Sequence, residues 1–282
     1  MTHSLSPELV RRTVRVLVVG CGGNGSAIAG GLPYLHQAML VHGHCGGLDV
    51  TLMDGDVVSM TNCVRQPFSQ ADIGHSKAVV LISRLNLFWG LSWHAIPEHF
   101  SARTSVDRVD IVIGCVDTRA ARKLIAEKVT GQRSSARYYL DLGNHSTGGQ
   151  FVLGQPWNWA NRRSATRLRT VAELFPDLIE PSLDDDGLPS CSAADSLQRK
   201  EPFVNATLAN HALALLARLF RYGSIEYHGA FVNVACQRVQ PLAVDPTVWR
   251  RLRRRGKSAT IGGAVVSMRR AGRDSGKSIA PG

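Results

Sequence analysis

The chain has 282 residues and a formal charge of +11, enough length for one well-buried α/β domain with extensions. Lacking an apolar run of membrane-spanning length and a signal-type core behind a basic start, it is expected to be soluble and cytoplasmic. Its six cysteines (Cys21, Cys45, Cys63, Cys115, Cys191 and Cys236) show no CxxC spacing, which argues against a disulfide framework or a four-thiolate zinc site.

In chain order, Val14–Val19 is a continuous β-branched run of the kind found in buried parallel strands. It runs into the glycine loop Gly20-Cys21-Gly22-Gly23-Asn24-Gly25 and then a helix over Gly25–Leu40, whose small residues Ser26, Ala27, Ala29 and Gly30 allow close approach to a sheet. Asp49–Asp54 is a second strand, Ile73–Asn86 a helix, Ile111–Val116 another buried strand, and Arg119–Val129 the helix after it. Tyr138–Leu142 and Gln150–Leu153 continue the strand series around a glycine-rich turn. This alternation predicts a mostly parallel, doubly wound α/β sheet. Residues 156–200, with prolines and the triplet Asp184-Asp185-Asp186, read as a crossover segment over the active-site face. Phe203–Tyr222 is a core helix ending before Gly223, and Tyr227–Val239 a hairpin or two edge strands. From Trp249 to Gly282 there are ten Lys and Arg against Asp274 alone. The expected division is therefore a folded domain over 1–245 and a poorly ordered basic tail over 246–282, either solvated or in contact with nucleic acid or an acidic partner.

The polar signals follow the glycine loop. Backbone N–H groups of Gly20, Gly22, Gly23 and Gly25, at a helix start, can hold phosphate oxygens, although such a loop can also be only a tight turn. Asp54 closes the second strand, where an acid commonly accepts ribose hydroxyls. Asn62-x-x-Arg65-Gln66 and Asp72-Ile73-Gly74 with Lys77 supply two cations for an anion, Arg65 by its planar fork and Lys77 as a point charge. Asp117 follows a buried strand at the carboxyl edge of the sheet and suits Mg²⁺. Asp56 is as well explained by its own turn, and Asp72 by capping the helix that carries Lys77. Together the set describes a site for ATP chemistry, which a glycine loop alone does not.

The stretches Asp54-Gly-Asp56-Val57-Val58-Ser59-Met60-Thr61-Asn62-Cys63-Val64-Arg65-Gln66, Asp72-Ile73-Gly74-His75-Ser76-Lys77 and Cys115-Val116-Asp117 resemble the ThiF/MoeB/HesA family, the adenylating enzymes related to ubiquitin activators. Within it the chain is most similar to the ThiF-related members of the PRTRC cassette of bacterial plasmids. The resemblance implies a Rossmann-like sheet, with a crossover segment and a C-terminal helix plus edge strands. It also implies that Asp54, Asn62, Arg65, Lys77 and Asp117 contact ATP or its Mg²⁺, Asp117 being the Mg²⁺ ligand. The implied reaction is attack of a carboxylate, the C-terminal Gly-Gly of a small ubiquitin-like or sulfur-carrier protein, on the α-phosphate of ATP, giving acyl-adenylate and pyrophosphate. Family members that continue to a thioester use a Cys before the last core helix. Cys191 lies in that region and is either that nucleophile or an ordinary loop thiol. A homodimer is implied, while only Arg11 and Arg12 precede the first strand to serve a partner's site. The family's structural zinc is not expected, and Thr118 stands where relatives have Asn. Two alternatives share some of these features: a nicotinamide-dependent oxidoreductase, and a catalytically degenerate scaffold of a plasmid-encoded complex.

Overall fold

The computed structural model describes residues 1–164, 166–184 and 201–261. A two-residue strand β1 (His3–Ser4) leads to β2 (Val14–Val19), whose six positions are buried except Arg15. Burial on both faces is what a β-branched run in a parallel sheet requires. Helix α1 (Gly23–Val41), β3 (Leu48–Met53), the short α2 (Asn62–Arg65), α3 (Lys77–Trp89), β4 (His94–Ile96), β5 (Ile111–Gly114), α4 (Arg119–Thr130), β6 (Tyr138–Asn144) and β7 (Gly148–Gly154) follow. The chain continues through α5 (Val171–Leu174), α6 (Val204–Tyr222), β8 (Ser224–Ile225), β9 (Tyr227–Asn233), β10 (Arg238–Ala243) and α7 (Pro246–Ile261).

Eight strands form one sheet in the order β10-β9-β7-β6-β5-β2-β3-β4. From β6 through β4 the neighbours are parallel; β6 with β7, β7 with β9 and β9 with β10 are antiparallel. The Rossmann-like half thus carries an antiparallel extension, with β10 at the edge and β9 inside. α1 packs along α6 and against α3. Right-handed crossovers put α1 and α3 on one face of the sheet and α4 on the other. β2 pairs with both β3 and β5, although the chain leaves β2 toward β3 and returns to β5 only later. The strand order therefore reverses at β2, and a ligand crevice belongs at the carboxyl ends there.

Several elements depart from expectation. α3 starts at Lys77, not Ile73, because Gly74 takes φ +87° and the Ser76 side chain caps the helix by accepting from Val79 N–H. Asp72 therefore does not cap α3. It accepts from Ser69 and pairs with Arg84. Cys236, inside the span read from sequence as a hairpin or two edge strands, lies exposed in the turn between β9 and β10. The largest departure concerns the basic tail. Its first part is a helix, α7, anchored by Trp249, which is buried and donates from Nε1 to His228 Nε2 at 2.9 Å. Apolar Val248, Trp249 and Leu252 pack inward while Arg250, Arg251 and Arg253 face solvent, so amphipathic periodicity overrides the charge.

Candidate functional site

The glycine loop bends sharply between β2 and α1. Gly20 has φ +92°, and at Gly25 any Cβ would collide with the Gly20 carbonyl oxygen. Both positions need glycine. Gly22 is the N-cap of α1 and makes no side-chain cap bond; a Cβ there would meet nothing within 4 Å. The first turn of a 19-residue helix therefore opens toward the cleft with its N–H groups available to an anion.

A cleft of about 520 Å³ gathers most of the residues expected from sequence: Gly20, Gly22, Gly23, Asp54, Asn62, Arg65, Lys77 and Asp117. Gly25 lies beneath it, shaping the turn. Asp54 accepts from Cys21 N–H at 2.5 Å with one oxygen and from Asp56 N–H at 2.7 Å with the other, which ties the glycine loop to the end of β3. Each carboxylate oxygen keeps a second acceptor site for a hydroxyl. Lys77 is buried, and its Nζ donates to Asp56 Oδ2 at 2.8 Å. Asp56, itself exposed, thus holds the ammonium in position. Asn62 Oδ1 accepts from Ser59 N–H at 2.9 Å and from Ser59 Oγ at 3.0 Å, shaping the turn that leads into Arg65 at the end of α2.

Asp117 is exposed, and among the described residues no side chain pairs with it. Thr118 caps α4 by accepting from Ala121 N–H at 3.2 Å, a role Asn fills equally well, so the departure at this position leaves the carboxylate's support intact. Below Asp117 lies a buried network. Asp141 accepts from Arg122 Nε at 2.8 Å and from Tyr139 Oη at 2.9 Å, while Arg122 Nη2 reaches the Val116 carbonyl at 3.3 Å. Burial raises the Asp141 pKa above the ordinary carboxylate range, against the pull of Arg122.

Four amides line the cleft that the sequence did not flag as contacts: Asn24, Gln66, Asn144 and Asn205. Asn24 Nδ2 donates to Asn144 Oδ1 at 3.4 Å. The Oδ1 atoms of Asn24 and Asn205 are buried and make no hydrogen bond among the described residues, an arrangement suited to an incoming polar ligand. Asn205 presses against Gly23, where a Cβ would strike its amide. No local pattern marks it, since it is one polar residue in the first turn of an apolar helix.

The remaining expected groups separate. Cys21 is buried, and burial together with Asp54 raises its thiol pKa far above normal, which rules against a thiolate nucleophile. Cys115 is raised likewise, first by burial. Cys191 lies outside the described residues. Arg12 is committed at the opposite edge of the sheet, with Nη1 and Nη2 each 2.6 Å from the Asp110 carboxylate. Among the described residues no three His, Cys, Asp or Glu side chains gather to hold a metal ion. The fit of Mg²⁺ rests on the donor chemistry: an exposed hard carboxylate in a cleft that also holds an open helix N-terminus would suit an ion that keeps waters and shares a ligand's oxygens.

Comparison with known proteins bears on the fold that positions this cleft. Residues 8–136 match the ThiF family. The adenylyltransferase and sulfurtransferase UBA4 of Eremothecium gossypii is 30% identical over 131 residues, covering 45% of this chain and 27% of that protein. The ATP-dependent ubiquitin transferase-like protein Cap2 of Enterobacter hormaechei subsp. hoffmannii is 26% identical over 121 residues, 41% of this chain and 18% of that one. The chain thus matches less than a third of the length of either curated relative. Among solved structures, PaaA superposes with a TM-score of 0.55 at 14% identity, over 82% of this chain and 64% of PaaA. MccB of E. coli gives 0.51 at 16%, over 82% and 62%. The fold is the Rossmann-like one these proteins share.

Proposed function

We propose that the protein uses ATP and Mg²⁺ to adenylate the C-terminal carboxylate of a small ubiquitin-like or sulfur-carrier protein ending in Gly-Gly. The observation that carries this reading is the meeting of the open α1 N-terminus, Arg65, Lys77 and Asp117 in one cleft. A nicotinamide cofactor would use the glycine loop and Asp54 but would give the two cations and the second carboxylate no task. The names of UBA4 and Cap2 support the same class of chemistry. So does E. coli MccB, a fold relative solved with ATP and with MccA. Homodimerisation and kinship with the ThiF-related members of PRTRC cassettes belong to this reading and rest on the sequence resemblance; a cytoplasmic location belongs to it too and rests on the apolar patterning of the sequence. No helix among the described residues is long and apolar enough to cross a membrane.

A carboxylate is ionised at neutral pH, so the reaction needs no protein base. The chain's work is orientation and stabilisation of charge. Asp54 would hold the ribose, and the loop N–H groups would hold phosphate oxygens. Arg65 and Lys77 would offset the charge that grows on departing pyrophosphate. Mg²⁺, held by Asp117, would neutralise phosphate charge and align the leaving group. Calorimetry should find Mg²⁺-dependent ATP binding with little affinity for NAD. Tight NAD binding without ATP binding would overturn the assignment.

Arg65→Ala and Lys77→Ala should each lower kcat for adenylate formation about a hundredfold, the usual cost of losing one electrostatic contact made in the transition state. A change confined to KM would make them ground-state binders. For the second step, Cys191→Ser should keep ATP–pyrophosphate exchange yet lose a reductant-sensitive adduct with the carrier protein, read by intact mass. If the wild type forms no adduct, or the variant forms it normally, the function ends at the adenylate or passes to an external nucleophile.

A further inference from the structure

A second surface, whose residues do not line the nucleotide cleft, combines aromatic and cationic chemistry. Between Gln155 and Thr170 the chain carries Trp157, Trp159 and four arginines, with no acid. Both tryptophans are more than half exposed, at 58% and 54%. The loop presenting them is nonetheless pinned. Asn158 is buried and donates to the Val129 and Ala136 carbonyls at 3.1 and 2.9 Å, while its Oδ1 accepts from Ala160 and Asn161 N–H. Asn161, also buried, donates to the Ala136 and Pro156 carbonyls at 3.0 Å each. Two buried amides thus fix the backbone on either side of Trp159. Arg167 lies over the Trp157 ring at 5.0 Å from its centroid and is itself locked by Glu173. Arg162 and Arg163 remain exposed. Glu173 belongs to α5, which packs against α7, so this short helix links the tryptophan loop to the helix bearing exposed Arg250, Arg251 and Arg253.

Exposed indoles cost free energy in water, and a rigid loop cannot withdraw them. The exposed Trp159 ring and the face of Trp157 that Arg167 does not cover, with exposed Arg162 and Arg163 on the same loop, suit unpaired bases stacked beside phosphates. We propose that Trp157, Trp159, Arg162 and Arg163, extended by Arg250, Arg251 and Arg253 of α7, form a binding surface for single-stranded nucleic acid. Duplex offers phosphates but no open base faces, so it should bind more weakly. The surface is independent of the adenylation chemistry and stands or falls separately from it.

The test uses the full-length protein and a fluorescein-labelled oligo-dT strand, read by anisotropy across a salt series. Wild type should bind with tryptophan quenching and prefer the single strand to the same-length duplex. W157A/W159A should weaken binding about tenfold or more while leaving the salt slope unchanged, because stacking releases few counterions. R162A/R163A should flatten that slope by about one to two. Far-UV circular dichroism and thermal melts matching wild type should show that both variants fold. Absence of oligo-dT binding at low salt, equal affinity for duplex, or binding untouched by both variants would overturn the proposal. Loss in the same variants of affinity for anionic vesicles or an acidic protein, without any for oligo-dT, would also overturn it by assigning the surface to another partner.

Discussion

Asp117→Ala should reduce ATP–pyrophosphate exchange by about a thousandfold at ordinary Mg²⁺, a loss expected when a metal clamp on the transferring phosphates is removed. Asp117 is exposed at the end of a buried strand and pairs with no side chain among the described residues, so the substitution leaves neither a cavity nor an unpaired partner. Stability should therefore change little, and a thermal melt checks this. The weak ATP binding left in the absence of Mg²⁺ should be the same in variant and wild type, since the glycine loop, Arg65 and Lys77 remain. Raising Mg²⁺ should recover part of the activity if the carboxylate acts by holding the ion. Exchange at the wild-type rate in ordinary Mg²⁺ would exclude Asp117 from that role.

Arg122→Ala should destabilise the fold by about 3–5 kcal/mol at neutral pH, because it strands Asp141 as a buried carboxylate without its counter-ion. Asp141 is fully buried and its pKa is already raised by burial; without Arg122 it must rise further. A group that binds its proton more tightly when folded stabilises the fold below its unfolded pKa and loses that contribution as pH rises through the folded pKa. The variant's deficit should therefore be smallest near pH 4 and grow toward pH 8, measured as urea midpoints. Arg122→Met with Asp141→Asn should recover much of the loss by removing both charges. An equal deficit at both pH values would assign the effect to lost packing. Arg122 also holds the Val116 carbonyl, so exchange activity in a partly stable variant should fall along with order at Asp117.

The parallel half of the fold was legible because its strands are continuous apolar runs, buried on both faces, and the loop after β2 requires glycine at Gly20 and Gly25. Asp54, Arg65, Lys77 and Asp117 were legible as types at spacings, and the sheet brings them into one cleft. Asn205 was not, because its neighbour in the cleft is Gly23, a contact that only tertiary folding creates. The Arg122–Asp141 pair was hidden for the same reason: Asp141 sits in an apolar strand, and Arg122, one of several charges on α4, reaches it only across the helix–sheet layer. α7 was misread because Arg250 to Arg255 dominates the composition, whereas Val248, Trp249 and Leu252 decide the structure.

His228 donates through Nδ1 to the Leu153 carbonyl at 2.7 Å and receives the Trp249 N–H on Nε2, which fixes the neutral tautomer. Burial pushes its pKa down to about 4, from an ordinary value of 6.5. A released α7 would expose a histidine that takes up a proton more readily than the docked one. Docking is then strongest above pH 6.5 and weakens as pH falls toward 4, where a second proton on the ring would face the indole N–H donor to donor. An acid-active protease should accordingly clip the arginine-bearing end of the chain while sparing the sheet, and His228→Phe should make that clipping insensitive to acid.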